Sequence, residues 1–473
     1  MSSISAVDLL PSGGIARARS GDAVAVIAIV IAIPVLMYLV NLAPLLKLAY
    51  PLVNLALAAW LYARRSPLYA AHCLLLFCAV SLVRRLVDAQ AGFAPANPVL
   101  FTPYLCCLFM GFSFLEYWQR LRPPYIGAFL VLLAGALYGG VLGAMDGRAI
   151  ASAVDLLKWS VGPLAAIYIL GYSGDLAELR RVTENCLVAA ATAMSLYGIA
   201  QFLSPGAWDT HWMNNVIEIG MNSIGRPEPF AVRVFSTMNS PGSFGAVLLV
   251  GIVVALKRPL PLALPTVSCM LLGLALCQYR TLWAATALAL LMLLFTRPRA
   301  LGLQNVLAAL GIVLALSSTA LLPEIRNTVI QRASTLSDLR SDHSGEERLA
   351  QFRVLSTNDS MVAGEGFGLT GAVRRFSDQP RAVIDSGLID TWRSLGFIMG
   401  TAFLAAMVAL VLRTFTRRGN SANPVDFDRA AVVASFIQLP MGSVHTGELG
   451  FFAWLFLGFA LATLAITARE DAA

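Results

Sequence analysis

Apolar residues fall along this chain in long blocks, with the polar ones gathered in the gaps. A block of roughly 18 or more can cross the hydrocarbon core of a bilayer as an α-helix. About fourteen blocks qualify, near 23–40, 45–62, 68–87, 99–116, 125–144, 154–172, 186–203, 240–256, 261–278, 282–296, 302–322, 388–412, 430–444 and 449–467. Those at 282–296 and 430–444 are short, and the second contains Pro440. The pattern predicts an all-α, polytopic transmembrane protein. The first block follows a polar stretch carrying Arg17 and Arg19 and has no small-residue cleavage site after it, so it reads as a retained span.

Two connectors are long and polar, 204–239 and 323–387. They divide the chain into spans 1–322 with a smaller loop at 204–239, a large loop at 323–387, and the C-terminal spans 388–473. Within the large loop, Ile325, Val329, Ala333 and Leu336 make a helical stripe. Ser344 with Glu347 makes a capping box ahead of Leu349, Phe352 and Leu355. Gly364, Gly366 and Gly368 then impose a turn. The loop is therefore expected to be a small folded helical cap.

Basic residues recur in every second connector: Arg64-Arg65, Arg120 and Arg122, Arg180-Arg181, Lys257-Arg258, Arg297 and Arg299, then Arg413 with Arg417 and Arg418. The positive-inside rule makes those connectors cytoplasmic, which puts both termini in the cytoplasm and both long connectors outside. Arg280, in a tight connector between two spans, falls outside as well. Basic residues set against the topology signal call for an explanation, and a bound anion supplies one.

Composition agrees. The chain is 58% hydrophobic and 13% charged, where a soluble domain carries roughly a quarter charged residues. Its net charge of +7 suggests nucleic acid, but much of the Lys and Arg sits in pairs between spans as topology signals, so no nucleic-acid partner is expected. The seven Cys lie in apolar runs and the four His are scattered. No disulfide framework, metal site or cofactor is expected from them.

The candidate chemistry lies on the outside face. Arg233 precedes a span start and has Ser236, Thr237 and Asn239 near it, a setting suited to phosphate. Its bland alternative is a snorkelling interfacial arginine, with Asn239 or Ser240 as a plain N-cap. Arg280 sits between Tyr279 and Thr281-Leu-Trp283, almost inside the membrane, where a charge is costly unless it is paired or used. Arg348 shares a helix face with Phe352, and Arg353 points away from Arg348. Asp385 ends the large loop and is a candidate general base, unless it or Ser386 merely caps the next helix. Asp390 and Arg393 are second candidates that can equally pair with each other, and His445 with Glu448, three apart, can supply a base. His343 is a further one.

These pieces, in this order, resemble the O-antigen ligase and O-antigen/exopolysaccharide polymerase family over roughly residues 220 to 410. The resemblance is carried by Arg233 through Pro241, Tyr279-Arg280, Arg348 with Phe352, the Gly364–Gly366–Gly368 turn, and Leu395 through Gly400. It departs at Asp385-Ser386, where the ligases carry His-Asn, and at Ser236, where the family often has Gly. The acidic residue looks more like the exopolysaccharide polymerase branch.

The resemblance implies an inverting glycosyltransferase of the bacterial inner membrane. Its donor is an undecaprenyl-diphosphate-linked oligosaccharide, and it needs no metal or cofactor. By this resemblance Arg233, Arg280 and Arg348 bind the diphosphate, with Arg353 a further candidate. Asp385 is the candidate base on a separate ground: a hydroxyl losing its proton late needs only a carboxylate of ordinary basicity. A chain-length regulator is a protein partner open to such an enzyme, beside membrane lipid. The alternatives are an O-antigen ligase acting on lipid A-core, and a transporter of lipid-linked oligosaccharides. Transporters usually place polar residues at mid-membrane within repeated halves, and no repeat is present here.

Overall fold

The structure, a computed structural model, describes residues 20–117, 123–220, 223–296, 311, 362–369, 386–416 and 425–470. It is helical, with no strand among those residues. The elements are α1 (Ser20–Leu39), α2 (Ala43–Ala63), α3 (Leu68–Ala91), α4 (Pro98–Leu115), α5 (Pro123–Met145), α6 (Ala149–Gly171), α7 (Leu176–Leu203), α8 (Ala207–Glu218), α9 (Pro241–Ala255), α10 (Leu260–Leu276), α11 (Arg280–Thr296), α12 (Gly387–Arg413), α13 (Val425–Phe436) and α14 (Gly447–Glu470). By length and composition, nine of the helices among the described residues can cross a membrane: α1 to α7, α12 and α14. Helices α9, α10 and α11 are apolar but shorter.

Each predicted span within the described residues coincides with a helix. Apart from Gly311, the span at 302–322 lies outside them, as does most of the 323–387 loop. Helices α6 and α7 begin earlier than predicted, at Ala149 and Leu176, and two further differences have a physical reason. Helix α3 continues past the predicted end to Ala91, because Arg84, Arg85 and Asp88 are buried and paired instead of marking a water interface. The 430–444 block resolves into α13 and a 3₁₀ turn at Leu439–Met441, since Pro440 has no N–H to continue the helix.

Burial sets the order of the bundle. The apolar window of α3 is 94% buried, against 17% for α1, so α3 is central and α1 faces outward with its Val24, Leu36 and Leu39. Helix α14 packs most extensively on α6, and small residues let the two backbones approach. A Cβ added at Gly162 would lie 2.2 Å from the Trp454 ring, and one at Gly458 would lie 2.9 Å from Ala166 Cα. Helix α5 bridges α6 and α12, while α7 joins α3 to α10.

The connectors sort onto two ends. At one end Arg65 bonds Ser173, Arg180 pairs with Asp428, Lys257 with Glu184 and Asp428, and Arg258 bonds Asn185. At the other, Arg85 reaches the 204–240 connector, Arg148 reaches 365–367, and Ser243 meets Glu448. Among the described residues, the first end gathers the basic connectors at 64–65, 180–181 and 257–258, and the second gathers the 204–240 connector and the 362–369 turn.

Candidate functional site at the polar end

The 204–240 connector folds over a small apolar core of its own: Trp212, Met213, Val216, Ile224, Val232 and Phe235. Arg85 of α3 holds it down, and its neighbour Arg84 lies 6.0 Å from the centroid of the Trp212 ring. Arg85 has no exposed surface, pairs with Asp209 at 3.0 Å and donates to the Ser236 carbonyl. Its guanidinium also lies over the Phe235 ring, 4.8 Å from the centroid. Asp209 accepts from Tyr197 (2.7 Å) and Gln201 (2.8 Å). Arg84 pairs with Asp88 at 2.8 Å and donates to the Ala94 carbonyl at 2.9 Å. Buried charges persist when they are paired, and Arg85 rests on its ion pair with Asp209 and one carbonyl, its Nε having no hydrogen-bond partner among the described residues.

The connector presents Arg233. A turn through Gly225, bridged to Val232, places the Arg233 N–H 2.9 Å from the Ile224 carbonyl. The half-buried guanidinium donates to the carbonyls of Ser223 (2.9 Å) and Gln278 (3.2 Å). Gln278 is two residues before Arg280, so two of the predicted site arginines share one turn. Gln278 takes a left-handed φ of 53°, and Arg280 begins α11. The N-terminal end of a helix carries partial positive charge, which disfavours a cation there and favours an anion beside it.

Past Arg233, Ser236 adopts a left-handed φ of 52°. Its N–H and that of Phe235 both donate to Gln201 Oε1, at 2.9 and 3.2 Å. A glycine would fit that backbone without strain. Ser240, not Asn239, caps α9: its side chain accepts from Ser243 N at 3.0 Å. At α12 the cap is Ser386, which accepts from Ile389 N.

The glycine turn is a docked element. Gly364, Gly366 and Gly368 have φ of 85°, 76° and 85°. Glu365 N donates to the Arg393 carbonyl (2.8 Å), Gly366 N to the Ser394 carbonyl (3.0 Å) and Phe367 N to the Gly139 carbonyl (2.8 Å). Gly368 N donates to Asp155 at 3.0 Å, and Arg148 donates to the carbonyls of Glu365 and Phe367. The Glu365 carboxylate takes Arg393 at 2.9 Å. Arg393 thus turns to the glycine turn, and Asp390 accepts from Ser443 at 2.8 Å.

Between α3, α4, α6 and α14 the same end holds a cavity of about 360 Å³. Phe77, Phe101 and Tyr104 give it aromatic walls, with Lys158, Asn239 and Glu448 as polar lining. Glu448 accepts from Tyr104 (3.0 Å) and Ser243 (2.9 Å). Lys158 pairs with Asp155 at 3.4 Å. A hollow of about 40 Å³ flanked by Gly242, Tyr279 and Thr281 adjoins the cavity, and Leu449 lines both. The turn bearing Arg280 and the cavity bearing Glu448 are therefore neighbours.

No family model, curated protein or solved structure matches this chain. Among the predicted residues, the structure brings Arg233 to the Arg280 turn and puts Glu448 in the adjoining cavity. His445 is sealed: it is buried, edge-on to Trp159 at 4.7 Å, with Nε2 3.3 Å from Thr391 Oγ1. Burial lowers its pKa to about 3, so it stays neutral and has no route to a sugar hydroxyl. Arg348, Arg353, Asp385 and His343 lie outside the described residues. The sequence reading missed Arg84, Arg85, Arg148 and Lys158. The first two sit inside an apolar block, and a pair of adjacent arginines within a span was the signal available.

Proposed function

We propose that the protein is a polysaccharide polymerase of the bacterial inner membrane. It is an inverting glycosyltransferase that joins undecaprenyl-diphosphate-linked repeat units on the periplasmic face. The reading takes both termini as cytoplasmic and about fourteen spans. One observation carries it: Arg233 braces the turn of Arg280 through the Gln278 carbonyl, beside a sugar-sized aromatic cavity. Support also comes from the gathering of the basic connectors at the opposite end, which fits the polar end facing the periplasm.

In this reaction a hydroxyl of the acceptor glycan attacks the anomeric carbon of the donor. The carbon–oxygen bond to the diphosphate breaks, and negative charge grows on the leaving lipid diphosphate. Guanidinium groups suit it, because their planar forks bind phosphate oxygens in pairs. Arg280 takes that role, with Arg233 holding its turn and contributing charge, and Arg348 and Arg353 extending the site from the large loop. Asp385 accepts the hydroxyl proton. A carboxylate of ordinary basicity suffices if the proton leaves late, after the glycosidic bond has largely broken.

The test is deletion of the gene in its host, followed by analysis of lipid-linked and exported glycans. Single lipid-linked repeat units accumulating without polymer are expected. Intact polymer left on its carrier with bare lipid A-core would assign a ligase instead, and repeat units trapped on the cytoplasmic face would assign transport. Complementation with Arg280→Ala or Asp385→Asn should leave the protein in the membrane and polymer largely absent. Full rescue by either variant removes that residue from the mechanism.

A further inference from the structure

We infer that the cavity between α3, α4, α6 and α14 is the binding subsite for the neutral sugar of the acceptor glycan, gripped by Glu448. The inference rests on the glycosyltransferase reading above and goes beyond it. The cavity's volume of about 360 Å³ falls in the range of small-ligand pockets. Its lining has one formal negative charge, Glu448, and one positive, Lys158, so it offers no net field for a diphosphate. The cationic groups of the reading stand next door, at the Tyr279–Arg280 turn across Leu449. The anion of the reading belongs at the arginine turn, and the cavity, whose two lining charges are of opposite sign, is left for uncharged glycan.

The lining chemistry matches a pyranose. Phe77, Phe101 and Tyr104 supply aromatic surface for the C–H face of a sugar ring. The Asn239 side chain, with Oδ1 buried and unbonded, supplies an acceptor for the ring's hydroxyls. Tyr104 and Ser243 each donate one hydrogen bond to a different oxygen of Glu448. Each carboxylate oxygen keeps a lone pair for a sugar hydroxyl, in a position fixed by α4 and α9. Met238 and Asn239 join the cavity to the part of the 204–240 connector that carries Arg233 and the left-handed Ser236. An acceptor seated here lies beside the elements that hold the donor's leaving group.

The probe is the oligosaccharide released by mild acid from the lipid-linked material that a deletion strain accumulates. Its binding to the full chain in nanodiscs is followed calorimetrically, with farnesyl diphosphate as a second probe. Ala96 is exposed at the cavity's edge, so Ala96→Trp blocks the cavity without burdening the fold. Wild-type protein should bind both probes. Ala96→Trp should lose the oligosaccharide and keep farnesyl diphosphate, and Glu448→Gln should weaken the oligosaccharide roughly tenfold, the loss of one charge-assisted hydrogen bond. Oligosaccharide binding unchanged in both variants, or absent from the wild type, overturns the subsite and leaves the polymerase reading intact. If the deletion strain accumulates no lipid-linked glycan, the polymerase reading fails and the subsite fails with it.

Discussion

Arg85 and Asp209 are both wholly buried, 3.0 Å apart, at the point where α3 meets the connector carrying Arg233. Removing either partner alone leaves an uncompensated charge. Arg85→Met or Asp209→Leu should each cost about 3–5 kcal/mol, read as a lowered thermal midpoint in detergent. The double variant should recover much of that stability, since an apolar pair of similar volume often replaces a buried ion pair. If the double variant is also inactive for polymer, the pair is needed to aim Arg233 and not merely to fold the protein. His445 makes a separate prediction. Its folded pKa of about 3 lies below the ordinary imidazole value near 6.5. Between those values the unfolded chain binds a proton that the folded one refuses. Its contribution is thus complete above pH ~6.5 and is lost as pH falls, by about 2 kcal/mol at pH 5. Thermal midpoints measured from pH 7.5 to 5 should fall on this account, and His445→Gln should flatten that limb. At this scale the sequence disclosed identities but not partners. Arg233 was visible as a cation near a span start, whereas its bond to Gln278 joins residues 45 positions apart.

The Gly364–Gly368 turn shows what an element can demand of its residues. A Cβ on Gly366 would stand 2.3 Å from Gly143 N, and one on Gly364 would stand 2.3 Å from Gly396 N. Both glycines also hold a left-handed φ. Gly366→Ala therefore carries strain of roughly 1–2 kcal/mol from the backbone alone, plus a clash that forces the turn off α5. The expected outcome is normal membrane insertion, a lowered thermal midpoint and little polymer. Protection of amide hydrogens at 365–368 should fall in exchange measurements, because their acceptors are Arg393, Ser394, Gly139 and Asp155. Unchanged exchange would mean that the turn's docking does not depend on the glycine. Helices were legible because apolar blocks fix their existence, and Pro440 and the cap at Ser240 mark two of their ends. The docking of the turn was not legible: it depends partly on backbone carbonyls of α5 and α12, which carry no side-chain signature, and partly on Arg148, Asp155 and Arg393, which are distant in sequence. The cavity was hidden for the same reason, being lined from connectors and helices far apart in sequence.

The described residues form two chemically different ends, and the proposed polymerase reading turns on which of them faces the periplasm. The end with Arg65, Arg180, Lys257 and Arg258 is internally paired, so those cations serve as topology signals and as braces between helices. The end with Arg233 and Arg280 holds the cavity and both docked connectors. On that reading the donor's diphosphate stays at the bilayer surface, so the second end has to face the compartment where the donor is displayed. Cysteine labelling can establish this, because the native cysteines at 73, 78, 106, 107 and 277 are buried and those at 186 and 269 partly so. Ala96→Cys reports the cavity end and Ala63→Cys the other, both at exposed positions. In intact cells a membrane-impermeant maleimide should label Ala96→Cys, and Ala63→Cys only after permeabilisation. The reverse pattern would put the arginine turn in the cytoplasm. A periplasmic polymerase would then be untenable, and the same turn would have to bind an anion presented from the cytoplasmic side.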